Sequence, residues 1–295
     1  MQPNYLSEEF IAKIDKFNLR ARLIVEGFIV GLHKSPYHGF SVEFSDHRQY
    51  NPGDPIRNLD WKVYAKTNRY YLKRYEEETN LKSYILVDHS NSMKYSSGGI
   101  NKLEYAKALA SALTYLMLSQ QDAVGLLSYT NRITSYIPPR SMRSYLNVLL
   151  KQLYKLKAAE KTNTATILHS LAERIKKRGL IIIVSDLIDK PDQILQGLQH
   201  FRHHKHEVIL FHIQDQQEQD FDFRKETEFI DSETGERIVV NPWQIRQDYL
   251  KVYQENTTYL KTKCHEAFIE YNPITTSTPF DQTLLQYLIK RSKLM

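Results

Sequence analysis

The chain has 295 residues, 41% hydrophobic and 25% charged with ten Gly and ten Pro, an ordinary composition with room for one large domain and an extension. No apolar run approaches the ~18 residues that cross a bilayer. The start "MQPNYLSEEFIAKID" lacks the basic-then-apolar order of a secretory signal, and a lone Cys264 excludes an intrachain disulfide, so a cytoplasmic protein is expected.

Net charge is +6, unevenly spread. Residues 81–180 hold 15 basic against 5 acidic side chains, whereas residues 181–295 hold 13 against 18. The basic middle third is either a solvated surface or an attractor for an anionic partner, whether an acidic protein or a nucleic acid.

In chain order, residues 7–30 predict a helix with Phe10, Ile14, Phe17 and Ala21 on one face and Ser7 as its cap. Residues 31–68 lose long periodicity and read as loop-rich. "RYYLKRYE" and "SYILVD" read as strands, and "NKLEYAKALASALTYLMLS" as an amphipathic helix. Then come the strands "AVGLLSY" and "RITSYI", the helices "SMRSYLNVLLKQLYKL" and "ATILHSLAERIKKR", and the strand "GLIIIVSDLI". The helix "PDQILQGLQHFRHH" and the strand "HEVILFHI" follow. The tail predicts a hairpin over "EFIDSETGERIVV", a long helix over residues 241–268 and a final helix over "FDQTLLQYLIKR". Alternating apolar strands and helices imply an α/β fold, a doubly wound, mostly parallel sheet flanked by helices. Residues 1–80 are expected to form an extension packed on a main domain of residues 81–295.

The stretch "LVDHSNSM" carries the chemistry. Asp88 ends an apolar strand, and Ser90 and Ser92 follow at every second position, so all three side chains can point to one side. Ligands in open α/β sheets sit beyond the carboxyl ends of the strands. Ser185 and Asp186 end a second strand, and Thr162, Thr164 and Thr166 precede a helix. An all-oxygen set suits a hard cation, Mg²⁺ or Mn²⁺. Taken singly, Asp-x-Ser-x-Ser also reads as a helix cap through Asn91 or Ser92; the second strand-end Asp favours the metal.

"DHSNSM" resembles the metal-ion-dependent adhesion site of von Willebrand factor A domains. The stretch "GLHKSPYHGFSVEFSDHRQYNPGDPIRNLDWKVYAKTNRYYLKRYEEE" resembles the signature of the domain-of-unknown-function fifty-eight family, a bacterial group of A-domain proteins. Gly31, His33, Ser35, Gly39, Glu43, Phe44, Arg48, Tyr50, Pro52, Gly53, Asp54, Arg57, Asp60 and Trp61 carry that likeness, and "RGLIIIVSDLID" and "DSETGE" extend it along the chain. The resemblance implies a von Willebrand factor A-like fold and a metal site at Asp88, Ser90, Ser92, Asp186 and a Thr. Spacing favours Thr162, but Asn163 and Thr164 stand where the family has an acidic and an aliphatic residue, so Thr164 stays an alternative. The resemblance also implies an adaptor or co-chaperone role beside MoxR-type AAA+ ATPases.

Neutral hydroxyls bound to the ion would leave it electropositive, with one position open for an Asp or Glu of a partner. The upstream residues Arg48, Asp54, Arg57, Asp60 and Trp61 read as structural, with Trp61 anchoring the loop on an apolar surface and Arg57 pairing with Asp60. The other reading makes Arg48, Arg57 and Lys62 a contact surface for an acidic partner. His33, His38 and His47 fit no zinc spacing. No Gly-x-Ser-x-Gly elbow or phosphate loop occurs, and adjacent Asp88, His89 and Ser90 point different ways, so no catalysis is expected. The expected function is a metal-dependent protein-interaction module; the alternative is nucleic-acid binding through the basic middle third.

Overall fold

A computed structural model describes residues 42–50, 59–77, 82–119, 121–159, 163–223, 225–231 and 235–293. The helix expected over residues 7–30 lies outside them, as do Asp54, Arg57 and Thr162. The chain divides into two compact units; among the described residues one lies within Val30–Asn80 and the other within Leu81–Met295.

In the first unit, β1 (Val42–Gln49) pairs antiparallel with β2 (Tyr71–Glu77), and the short helix α1 (Trp61–Thr67) lies between them in sequence. Leu59 bridges to Leu72, and both are buried. Asp60 caps α1, its Oδ1 accepting from Lys62 N at 2.9 Å and Val63 N at 3.2 Å, which satisfies donors a helix start leaves open. The Tyr64 and Tyr70 rings stack at 4.5 Å. Trp61, expected as a buried anchor, is instead 58% exposed. It occupies the first helical position, outside the Leu59–Leu72 contact, and meets Tyr64 edge-on. The strand β1 and α1 replace part of the loop expected there.

The second unit is a six-stranded sheet. Its strands are β3 (Lys82–Asp88), β4 (Ala123–Tyr129), β5 (Ile133–Arg140), β6 (Leu180–Ser185), β7 (Glu207–Gln214) and β10 (Glu270–Thr275), in the order β10-β7-β6-β3-β4-β5. All neighbours run parallel except β4 and β5. The connecting helices are α2 (Lys102–Ser119), α3 (Leu146–Lys155), α4 (Thr164–Arg174) and α5 (Pro191–His203). After β7 come the single-turn helix α6 (Gln216–Asp220), a separate hairpin of β8 (Thr227–Ile230) and β9 (Arg237–Val240), the long helix α7 (Pro242–Glu266), and α8 (Phe280–Lys293) after β10. This is the α/β architecture the apolar strands predicted.

Period-two alternation assigns the faces. Tyr84, Leu86, Ile181, Ile183, Val208 and Leu210 pack with Leu168 and Leu171 of α4, Ile194 and Leu198 of α5, and Leu260 of α7. The intervening Ile85, Val87, Ile182, Val184 and Phe211 are equally buried. Tyr287 of α8 lies edge-on to Phe211, and the Tyr105 hydroxyl of α2 meets Thr283 of α8 at 2.8 Å. Helices on both faces explain why these strands are continuous apolar runs. At Gly179 a Cβ would lie 2.1 Å from the Lys82 carbonyl oxygen, so only glycine admits β6 this close to β3.

From β3 the chain turns to β4 on one side and later returns to β6 on the other. The topological switch point is therefore the carboxyl end of β3.

Candidate metal centre

Register fixes what meets at that switch point. Val87 pairs with Val184 and Asp88 with Tyr129, so Asp88 and Ser185 leave the sheet side by side. Ser185 Oγ donates to Asp88 Oδ2 at 2.7 Å, and Ser90 N donates to Asp88 Oδ1 at 2.9 Å. Ser90 Oγ and Ser92 Oγ are 3.0 Å apart. Asp88, Ser90, Thr164 and Ser185 are wholly buried, and Ser92 and Asp186 nearly so.

The helix-cap reading of Asn91 and Ser92 is not realised at α2, where Asn101 Oδ1 accepts from Glu104 N at 2.8 Å. The serine hydroxyls face each other instead. His89 points away, its ring nitrogens 2.8 Å from the Lys157 carbonyl oxygen and 2.7 Å from Thr134 Oγ1. Asp88, His89 and Ser90 therefore form no nucleophile–base relay.

Asp186 is aimed by its backbone. Leu187 has φ of +52°, a left-handed conformation costly for a branched side chain, and its N–H is held by Ser185 Oγ at 3.0 Å. The Asp186 carbonyl accepts from His212 Nε2 at 3.0 Å, and His212 Nδ1 lies 2.6 Å from the Tyr271 hydroxyl. Burial pushes the His212 imidazole down to about 4, against the opposing pull of Asp186, so the ring is neutral at physiological pH.

Electrostatics define the centre. Burial, with the nearby charge of Asp186 next, lifts the Asp88 carboxyl to about 7 despite its hydrogen bonds. Burial and the charge of Asp88 also push the Tyr129 phenol well above its ordinary value, while the Ser185 and Thr164 hydroxyls work the other way. That places Thr164, the first residue of α4, in the same group.

The sequence reading missed Lys102. This wholly buried side chain, at the first position of α2, puts Nζ 2.8 Å from Asp186 Oδ2 and 2.7 Å from Glu218 Oε1. Burial works against its charge, but the two carboxylates outweigh burial and hold its pKa above the ordinary value. One signal was available: a Lys opening a helix faces the unfavourable end of the macrodipole. Above the centre, a cavity of about 420 Å³ is lined by Asn91, Ser92, Tyr95, Lys102, Ile188 and Glu218 among others.

The donor set fits a hard cation. Asp88, Asp186 and Glu218 set three carboxylates against the single ammonium of Lys102. Among the described residues, both Asp186 oxygens are buried without a hydrogen bond, Oδ2 having only the Lys102 ion pair and Oδ1 no partner, an expensive state for a carboxylate. No group of three or more His, Cys, Asp or Glu gathers for a metal among the described residues. A cation here would therefore rest on two carboxylates and hydroxyls, the preference of Mg²⁺ over zinc.

The fold and this centre define an open α/β domain with an oxygen-rich cluster at its switch point. The family described as "Protein of unknown function DUF58" matches residues 46–259, and the chain belongs to it. Uncharacterized proteins of Mycobacterium bovis and Mycobacterium tuberculosis are 24% identical over 180 residues, which is 60% of this chain. The match spans 57% of the length of those relatives.

Among solved structures, the conserved hypothetical protein BatB from Bacteroides thetaiotaomicron aligns with a TM-score of 0.47 at 14% identity, over 72% of this chain and 99% of that one. An aerotolerance-related membrane protein from Bacteroides fragilis gives 0.48 at 15%, over 73% and 100%. The SpRpn10 VWA domain gives 0.40 at 9%, over 70% and 94%. At these scores the likenesses carry no argument about function. No helix among the described residues is long and apolar enough to cross a membrane.

Proposed function

We propose that the protein is a non-catalytic protein-interaction module of von Willebrand factor A-like type, whose contacts depend on Mg²⁺ or Mn²⁺ held by Asp88, Ser90, Ser92, Asp186 and Thr164. Thr162 remains a candidate for the same role outside the described residues. The observation that carries this reading is the buried, partnerless Asp186 Oδ1 beside a raised Asp88, a local excess of negative charge that a divalent ion would balance. When bound, the cation would supply a Lewis-acidic position for one oxygen of a partner's Asp or Glu.

The chain's own residues do the rest. Ser185 and the Ser90 amide orient Asp88, the left-handed turn at Leu187 and His212 orient Asp186, and the cavity over Ser92 gives a partner side chain a way in. The partner the family resemblance implies is a MoxR-type AAA+ ATPase or its client, with this chain as adaptor or co-chaperone.

The nucleic-acid alternative is weakened by where the basic residues go. Lys102 and Lys107 are buried against carboxylates and so are withdrawn from any phosphate contact.

The test is capture of a MoxR-type ATPase from the same cell by tagged protein, with chelator varied at one fixed ionic strength and salt then varied under full chelation. Binding that is lost with chelator and with Ser90→Ala is the expected result. Retention under full chelation, with steep loss on added salt, would overturn this reading in favour of the basic surface.

A further inference from the structure

Lys102 does not belong to the ligand set, yet its ammonium touches one of the two carboxylates in it. The side chain is wholly buried and reaches Asp186 Oδ2 and Glu218 Oε1 at once. Glu218 is held in place independently. It closes the capping box of α6, with Oε2 accepting from Asp215 N at 2.9 Å, which leaves Oε1 for the lysine. The Tyr95 ring covers the ammonium from 5.7 Å.

Neither Asp186 oxygen makes a hydrogen bond among the described residues: Oδ1 has no partner, and Oδ2 has only its ion pair with Lys102. The charge count gives this arrangement a purpose. With all three carboxylates ionised, three carboxylates and one ammonium leave an excess of two negative charges, the charge of one divalent ion. A dication and an ammonium drawn to the same carboxylate repel each other, strongly so in a buried site.

We propose that Lys102 is a tethered competitor for the divalent ion: it neutralises Asp186 while the centre is empty of metal and shifts onto Glu218 when metal binds. This rests on the metal reading above and adds to it a residue that sets how tightly the ion is held. Glu218 is the second half of the device, because it gives the displaced ammonium a half-buried partner already fixed by the capping box. Weak resting affinity follows, so that the extra oxygen of a partner carboxylate decides occupancy.

The experiment is calorimetric titration of Mn²⁺ into the chelator-stripped full chain, comparing wild type, Lys102→Met and Glu218→Gln. Lys102→Met is expected to bind Mn²⁺ at least about tenfold more tightly, and Glu218→Gln about tenfold more weakly, since the ammonium then has only Asp186. Lys102→Met leaves buried carboxylates unbalanced, so it should also melt lower in chelator and gain more in Tm from Mn²⁺ than wild type does. Should Lys102→Met not fold in chelator, Glu218→Gln decides alone. Wild-type binding with unchanged or weaker affinity in Lys102→Met, or with unchanged affinity in Glu218→Gln, would overturn the competitor role and leave the metal reading standing. No Mn²⁺ binding by any of the three proteins would overturn both.

Discussion

Replacing Asp88 by Asn should stabilise the metal-free protein at alkaline pH. Asp88 is wholly buried, and burial plus the neighbouring Asp186 raise its carboxyl from 3.8 to about 7. A rise of roughly three pH units corresponds to ~4 kcal/mol of folding free energy. The folded state binds the proton more tightly than the unfolded chain, so the cost is absent below about pH 4, grows between about 4 and 7, and is constant above. Asn cannot ionise and escapes it. Its single carbonyl oxygen, however, keeps only one of the bonds from Ser90 N and Ser185 Oγ, a loss of about 1–2 kcal/mol. The net gain at pH 8 is ~2 kcal/mol. Urea denaturation in chelator across pH 4–8 reads it as a higher midpoint for Asp88→Asn at pH 8 that vanishes or reverses by pH 4. Saturating Mg²⁺ should shift the balance back towards wild type, since only that protein gains binding energy. A variant less stable than wild type at pH 8, or a pH-independent difference, would refute the argument.

Asp122, in the turn between α2 and β4, is raised to about 7 by burial alone, and its Oδ2 is buried without a partner among the described residues. Asp122→Asn should therefore add about 1–3 kcal/mol at pH 8, fading towards pH 4, with Mn²⁺ affinity unchanged by calorimetry. Trp61→Ala should cost under about 1 kcal/mol, because the ring is already 58% exposed, whereas Asp60→Ala should cost about 1 kcal/mol through the lost cap of α1. Chemical denaturation of the full chain ranks the two; a larger loss at Trp61 would restore the anchor role.

The central sheet was legible because strands covered on both faces become continuous apolar runs, as in Ile181–Val184 and Ile85–Val87. The strand β10 was not. It is an edge strand, it carries Pro273, and it mixes Glu270 and Asn272 among its apolar residues, so neither alternation nor a run announces it. The helices α1 and α6, of seven and five residues, are too short for any periodicity to register. At the site, Asp88 and Asp186 were legible because each stands at the end of an apolar strand; Ser90 and Ser92 were expected on one side of an extended chain, but the chain turns into a 3-10 helix over Asn91–Lys94, and that turn brings their hydroxyls together. The Lys102–Glu218 pair was not, since it joins positions 116 residues apart that only the fold brings together. The choice between Thr162 and Thr164 was equally hidden, because it depends on where α4 begins; Thr164 is its first residue, and Thr162 lies outside the described residues.

The central claim is that the oxygen cluster at the end of β3 binds a divalent ion. The most direct measurement is Mn²⁺ titration of chelator-stripped wild type against Asp186→Asn and a Ser90→Ala, Ser92→Ala double variant, followed by calorimetry, with circular dichroism confirming that all three are folded. Saturable binding of one ion per chain is expected in wild type, with its loss in both variants. Equal heats from all three folded proteins, or no binding by wild type, would contradict it.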